Sequence, residues 1–199
     1  MSLAEPLYLV FLAVAVLGVR LLSNRVPRVL VLVPLGLVFY ATWNPLALLP
    51  LLATATVDFN VARALGRTES RALRRALVGT SVVFDLALLS AFKYSGLLAR
   101  AAAPLIGEAG DAAWPPFTLV LAAGISFYTF QSLGCVLDVY RRDEEPPARF
   151  LDYLAFVSFF PTLLAGPITR AGTFVPQAAR PLAPLSDEDG SRALFRIGL

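Results

Sequence analysis

Long uncharged apolar runs alternate with short arginine-rich segments, and this alternation predicts the elements. The first run extends from Pro6 to Leu22 and is interrupted only by Arg20 near its end. Proline suits the first turn of a helix, and an arginine stem can snorkel to a membrane interface. Between Arg28 and Asp58 no charge occurs for 29 residues, too many for one upright span across a hydrocarbon core of roughly 30 Å. The segment Tyr40-Ala41-Thr42-Trp43-Asn44-Pro45 combines a turn signal with interfacial aromatics and divides that run in two. Further runs cover 76–98 and 117–139. A shorter one at 151–166 has Pro161 inside it and ends at Gly166-Pro167, which predicts a broken or re-entrant helix. The expected fold is therefore all-α, a polytopic integral membrane helix bundle of about five spans, at 6–22, 28–43, 45–62, 76–98 and 117–139, with a re-entrant helix at 151–166. All 199 residues read as parts of one membrane-embedded domain, and the region after it as a loop leading to an interfacial helix.

The arginines orient this bundle. With the N-terminus outside, the inner loops hold Arg20, Arg25 and Arg28, then Arg63, Arg67, Arg71, Arg74 and Arg75, then Arg141, Arg142 and Arg149. The outer loops hold Arg100, with Lys93 near that interface. Such asymmetry predicts an integral protein of the cytoplasmic (inner) membrane with the N-terminus outside. Met1-Ser2-Leu3-Ala4-Glu5 has no positive n-region, so the first run is expected to be a retained span and not a cleaved signal peptide.

Composition sharpens the class. The chain is 57% hydrophobic with a mean hydropathy of +0.70, and its net charge is +3. The positive residues sit in short loops between apolar runs and not on a solvated face, so the lipid bilayer is the expected partner and nucleic acid is not. Histidine is absent and Cys135 is the single cysteine. That excludes an intrachain disulfide, a Cys/His metal cage, and any Ser-His-Asp or Cys-His set. Cys135, within an apolar run, reads as a small buried hydrophobe.

Polar residues inside the spans are the candidates for chemistry. Gly124, Gln131 and Asp138 recur at i, i+7 and i+14 and share one helical face. Their stripe suits interhelical hydrogen bonding first, with glycine allowing close approach, and the lining of a substrate path second. For Asp138 an ion pair with Arg141 or Arg142 is the simple expectation. Asp85 lies ten residues beyond Arg75, near the bilayer midplane at about 1.5 Å per residue. An ionised carboxylate there costs about 2.5–3.5 kcal/mol on insertion scales, so it must be protonated, hydrated or partnered from another span. Lys93 is too far along the same helix to serve. Asp58, nearer the interface, reads as structural. Arg170 suits either a phosphate or carboxylate ligand or a lipid headgroup.

The stretch 124–170 contains Gly124-Ile125-Ser126-Phe127-Tyr128-Thr129-Phe130-Gln131, Asp138-Val139-Tyr140-Arg141, Ser158-Phe159-Phe160-Pro161, and Gly166-Pro167-Ile168 with Arg170. In these motifs the chain resembles the membrane-bound O-acyltransferase family, in its bacterial branch that acetylates alginate and other exported polysaccharides. Weaker likeness extends to Val57-Asp58 and Phe92-Lys93-Tyr94, and Gly134-Cys135 departs from the family's usual serine and aromatic residue. The resemblance implies acyl transfer to a hydroxyl, with a histidine as general base. No such histidine is present; in the family it lies well downstream of the Gly-Pro motif. The expectation is an N-terminal portion of such an enzyme, inactive alone and without a catalytic residue of its own. Asp85, Gly124, Ser126, Gln131, Asp138 and Arg170 are its candidate substrate-path residues. No bound cofactor is expected. Acetyl-CoA or an acyl carrier would be the donor substrate, a polysaccharide the acceptor, and the remaining C-terminal part and other polysaccharide-modification proteins the partners. A non-catalytic membrane scaffold or transport subunit is the alternative.

Overall fold

All regular structure among the described residues is helical, with no strand. The computed structural model describes residues 6–22, 27–42, 45–93, 124–165 and 169–179. The helices are α1 (Pro6–Leu22), α2 (Val29–Ala41), α3 (Leu48–Arg67), α4 (Arg71–Lys93), α5 (Ile125–Arg141), α6 (Phe150–Val157), α7 (Phe160–Ala165) and α8 (Ala171–Ala179), with a 3₁₀ turn at Pro45–Ala47 before α3. α3 is the central element and packs on α4, α5 and α6, while α2 and α8 also pack on α6. The ends of two expected spans, at 94–98 and 117–123, and the region from 180 onward lie outside the described residues.

α4 turns its polar residues inward and an apolar face outward. Its buried positions include Arg74, Ser81, Asp85 and Leu89, on one face at spacings of seven and four. Its exposed positions include Leu73, Val83 and Leu86, with Val83 68% exposed. A water-soluble helix places its serine and aspartate outward and its leucines inward. The inverted arrangement suits a hydrocarbon surround, in which a polar side chain needs a protein partner. Pro45–Arg67 and Arg71–Phe92 are each long and apolar enough to cross a bilayer. α2, with 13 residues, is only about 20 Å long and shorter than a hydrocarbon core.

The segment 63–75, expected as a basic loop, is mostly helix. α3 continues to Arg67 and α4 starts at Arg71, leaving only Thr68-Glu69-Ser70 between them. Arg74 accounts for the tightness of the turn. Its Nη1 donates to the carbonyls of Leu65 and Thr68, and its Nη2 to those of Val139 and Tyr140. One guanidinium thus satisfies carbonyls at the C-terminal ends of both α3 and α5, where helices have unpaired acceptors and cations are favoured. Arg74→Ala is expected to lower stability by about 1–3 kcal/mol, because buried carbonyls lose their donors. Thermal unfolding of the purified chain checks this, with the exposed Arg75→Ala as a near-neutral control.

α5 ends in a left-handed residue, Arg142 at φ 67°. The N–H of Asp143 reaches the carbonyl of Asp138 at 2.9 Å, and that of Arg142 the carbonyl of Val139 at 3.2 Å, which is a Schellman stop. Its side chain pairs with Glu69 across the α3–α4 turn. The expected pairing of Asp138 with Arg141 or Arg142 is therefore replaced, among the described residues, by Arg142–Glu69. Nearby, the N–H of Gly172 donates to Glu144 and Arg28 donates to the carbonyl of Gln177. These contacts gather Arg28, Arg74, Arg142 and the start of α8 at one end of the bundle.

The expected broken helix is present, but the break falls at Ser158-Phe159 and not at Pro161. α6 stops when Ser158 turns its hydroxyl back to the carbonyl of Leu154 at 2.7 Å. Pro161 is the second residue of α7, a position where the missing N–H is not needed. At the break α2 comes very close, since a Cβ on Gly36 would collide with the backbone carbonyl of Ser158.

Candidate functional site

Three helices each carry a buried polar pair one turn apart: Thr54 and Asp58 on α3, Ser81 and Asp85 on α4, Tyr128 and Ser132 on α5. An i, i+4 spacing puts both members of a pair on one face, and the three faces converge. Each of the six, and Tyr153 of α6, is fully buried at 0% exposure.

Asp58 is the hub. Its two oxygens accept hydrogen bonds from the hydroxyls of Ser81 and Ser132, both at 2.6 Å. Ser132 also shares a 2.7 Å hydrogen bond with the Tyr153 hydroxyl. One carboxyl group therefore ties α3 to α4 and α5 directly, and to α6 through a serine. Bonds of about 2.5–2.7 Å between a hydroxyl and a carboxyl oxygen belong to the strong class.

Asp85 faces Asp58 and Thr54 of α3 closely enough to interact with both electrostatically. Neither of its oxygens is engaged in a hydrogen bond with a donor among the described residues. The hydroxyls of Thr54, Thr129, Tyr128 and Tyr40 are also buried without partners there, and the Tyr40 and Tyr128 rings meet edge to face at 6.0 Å. Among the described residues no group of three or more histidine, cysteine or carboxylate side chains is placed to hold a metal ion.

The residues singled out in the sequence divide into three places. Asp85 and Gln131 are buried in mid-bundle; Gln131 Nε2 donates to the carbonyl of Phe156 at 2.9 Å, so its visible role is the interhelical hydrogen bond. Gly124 sits at the opposite end of α5 from Asp138, in a left-handed conformation at φ 100° that glycine adopts without strain. Ser126 is half-buried near it and has an interaction of its own. Asp138 is half-buried and Arg170 exposed, both toward the basic end, where the Arg170 carbonyl accepts from Thr173 and Phe174 to start α8. The six do not form one cluster. The side chain of Lys93 lies outside the described residues, and Cys135 is buried as expected.

Asp58, Ser81, Ser132 and Tyr153 were missed as a site. Asp58 was placed near the interface because it precedes Arg63 by five residues, whereas α3 carries it into the interior by continuing to Arg67. The signal available was the i, i+4 polar pairing repeated on three helices.

Comparison with known proteins bears on this architecture. The chain is 34% identical over 163 residues to the probable alginate O-acetylase AlgI of Pseudomonas aeruginosa, covering 81% of this chain and 31% of that protein. It is 36% identical over 166 residues to the corresponding protein of Azotobacter vinelandii, covering 81% and 32%. The chain is a relative of bacterial O-acetylases. The peptidoglycan O-acetyltransferase of Helicobacter pylori is a further relative, 31% identical over 202 residues, covering 86% of this chain and 37% of that protein. The resemblance read from the 124–170 motifs thus extends over most of the chain. The chain spans about a third of the length of these curated relatives. No protein-family model matches it, and no solved structure does so significantly.

Proposed function

We propose that the chain is the N-terminal portion of a membrane-bound O-acyltransferase that transfers acetyl or other acyl groups to hydroxyls of an exported, alginate-like polysaccharide. The observation that carries this reading is the similarity to alginate and peptidoglycan O-acetylases across 77–86% of the chain. In this reading the protein resides in the cytoplasmic membrane with its N-terminus outside. The donor, acetyl-CoA or an acyl carrier, is supplied at the basic end. The polar interior around Asp58 and Asp85, with Gln131, holds the helices that flank the substrate path.

The chemistry requires a base. A sugar hydroxyl has a high pKa, and its attack on a thioester is assisted by a side chain that removes the proton in the transition state. Histidine suits that task near neutral pH, and this chain contains none. Asp58 is occupied by two serine donors, and arginines do not deprotonate. Residues 1–199, purified and supplied with an acetyl donor and a mannuronate oligomer, are therefore expected to form no ester above the protein-free blank by mass spectrometry. A chimera in which the chain replaces its matched segment in the Pseudomonas aeruginosa relative is expected to regain the O-acetylation of that relative. Turnover by the isolated chain would overturn the assignment of the base to another part of the protein. A monodisperse, folded chimera without activity would overturn the shared function.

Sidedness has its own test. In a Cys135→Ala background, a cysteine at Glu69 is expected to react with an impermeant maleimide only after permeabilisation, and one at Asp111 in intact cells. The reverse pattern would invert the topology.

A further inference from the structure

Where α1, α2, the α6–α7 break and α8 meet, two adjoining cavities share Val19, Leu32 and Phe159 as walls. The first, about 440 Å³, carries the polar groups: Arg28, Thr169, Thr173 and Gln177. The second, about 260 Å³, runs along α1 from Arg20 back to Leu12 and is otherwise lined by apolar side chains such as Ala15, Val16, Leu35 and Phe160. The eight helical steps from Leu12 to Arg20 correspond to about 12 Å.

The polar cavity is cationic and incompletely satisfied. Arg28 spends Nη1 on the carbonyl of Gln177 at 3.2 Å. Its Nε and the Thr169 hydroxyl have no partner among the described residues. Among the described residues no carboxylate lines either cavity. A guanidinium beside an unpartnered hydroxyl suits an oxyanion, and a phosphate in particular. The continuous apolar trough suits a hydrocarbon chain. Arg20 stands at the rim of that trough and adds a second positive charge at the same end.

We propose that this paired cavity is a binding site for one anionic phospholipid of the surrounding bilayer. Its phosphate lies against Arg28 and Thr169, and one acyl chain lies in the trough between α1, α2 and α7. Basic pockets between membrane helices are suited to such headgroups. The site lies apart from the buried Asp58 cluster and does not depend on the acyl-transfer reading. It wedges a lipid between α1 and α8, so occupancy couples the first helix to α8.

Native mass spectrometry of the full 199-residue chain, released from micelles containing equal phosphatidylglycerol and phosphatidylcholine, tests the site. One retained phosphatidylglycerol is expected, favoured over phosphatidylcholine at least fivefold. Arg28→Gln and Thr169→Val are each expected to remove most of that preference. Leu35→Trp, which fills the trough, is expected to reduce retention of both lipids. Arg75→Gln, on the other basic surface, should leave retention unchanged. Thermal unfolding confirms that each variant is folded, and Thr169→Val decides the case if Arg28→Gln is not. Equal retention of the two lipids would overturn the proposal, as would no response to Thr169→Val and Leu35→Trp. Competition by glycerol phosphate as effective as by the lipid would show a soluble-anion site and overturn the lipid assignment.

Discussion

Replacing Asp58 by alanine is expected to destabilise the bundle by about 2–4 kcal/mol, the largest polar effect in the chain. The substitution removes both acceptors used by Ser81 and Ser132. It also leaves a fully buried network of serine and tyrosine hydroxyls with fewer partners than donors. A single hydrogen bond between membrane helices contributes less, about 0.6 kcal/mol on average and at most about 1.7. Ser81→Ala should therefore cost less than Asp58→Ala, and Ser132→Ala more than Ser81→Ala because Tyr153 also depends on it. Unfolding of the purified variants in detergent, monitored by circular dichroism, gives the order directly. A double-mutant cycle between Asp58 and Ser132 should return a coupling of about 0.5–3 kcal/mol. Additivity of that pair would remove the hub.

Gly36 supplies the second large effect. A methyl group there would meet the Ser158 carbonyl, which is backbone and has little freedom to move. Gly36→Ala should cost about 1–3 kcal/mol by overpacking, and Gly36→Leu more, enough to part α2 from the α6–α7 break. Gly79, where an added Cβ meets nothing within 4 Å, is the internal control. Gly79→Ala should be neutral or mildly stabilising, since alanine is the better helix former. The measured quantities are thermal midpoint and monodispersity on size-exclusion chromatography. Equal effects of Gly36→Ala and Gly79→Ala would show that the close approach carries no energetic weight.

The two predictions mark the boundary between what a linear pattern expresses and what it leaves open. Apolar runs and their charged punctuation expressed the helical class, the broken helix and the basic segments that share one end of the bundle. Each of these depends on residues close in sequence and on the solvent around them. The likeness to O-acetylases was legible in the 124–170 motifs for a similar reason, because local strings such as Gly124-Ile125-Ser126-Phe127 can be read without knowing the fold. Helix ends were less legible: Arg71, Arg74 and Arg75 read as loop by charge. Arg74 is nonetheless helical, because four carbonyls from two helix ends converge on it.

The interior was legible only in fragments. Asp85 stood out by depth and Gln131 by its stripe. That Asp58 is the better-connected carboxyl group depends on Ser81, Ser132 and Tyr153, which are 23, 74 and 95 residues away along the chain. Sequence by itself determined that Asp85 and Gln131 are too polar for an apolar surround and so must turn inward. Which of them meet was decided by the tertiary structure alone. Burial inside a bundle is enforced residue by residue by the cost of an unpartnered polar group in hydrocarbon, whereas pairing depends on the rotation and register of four helices at once.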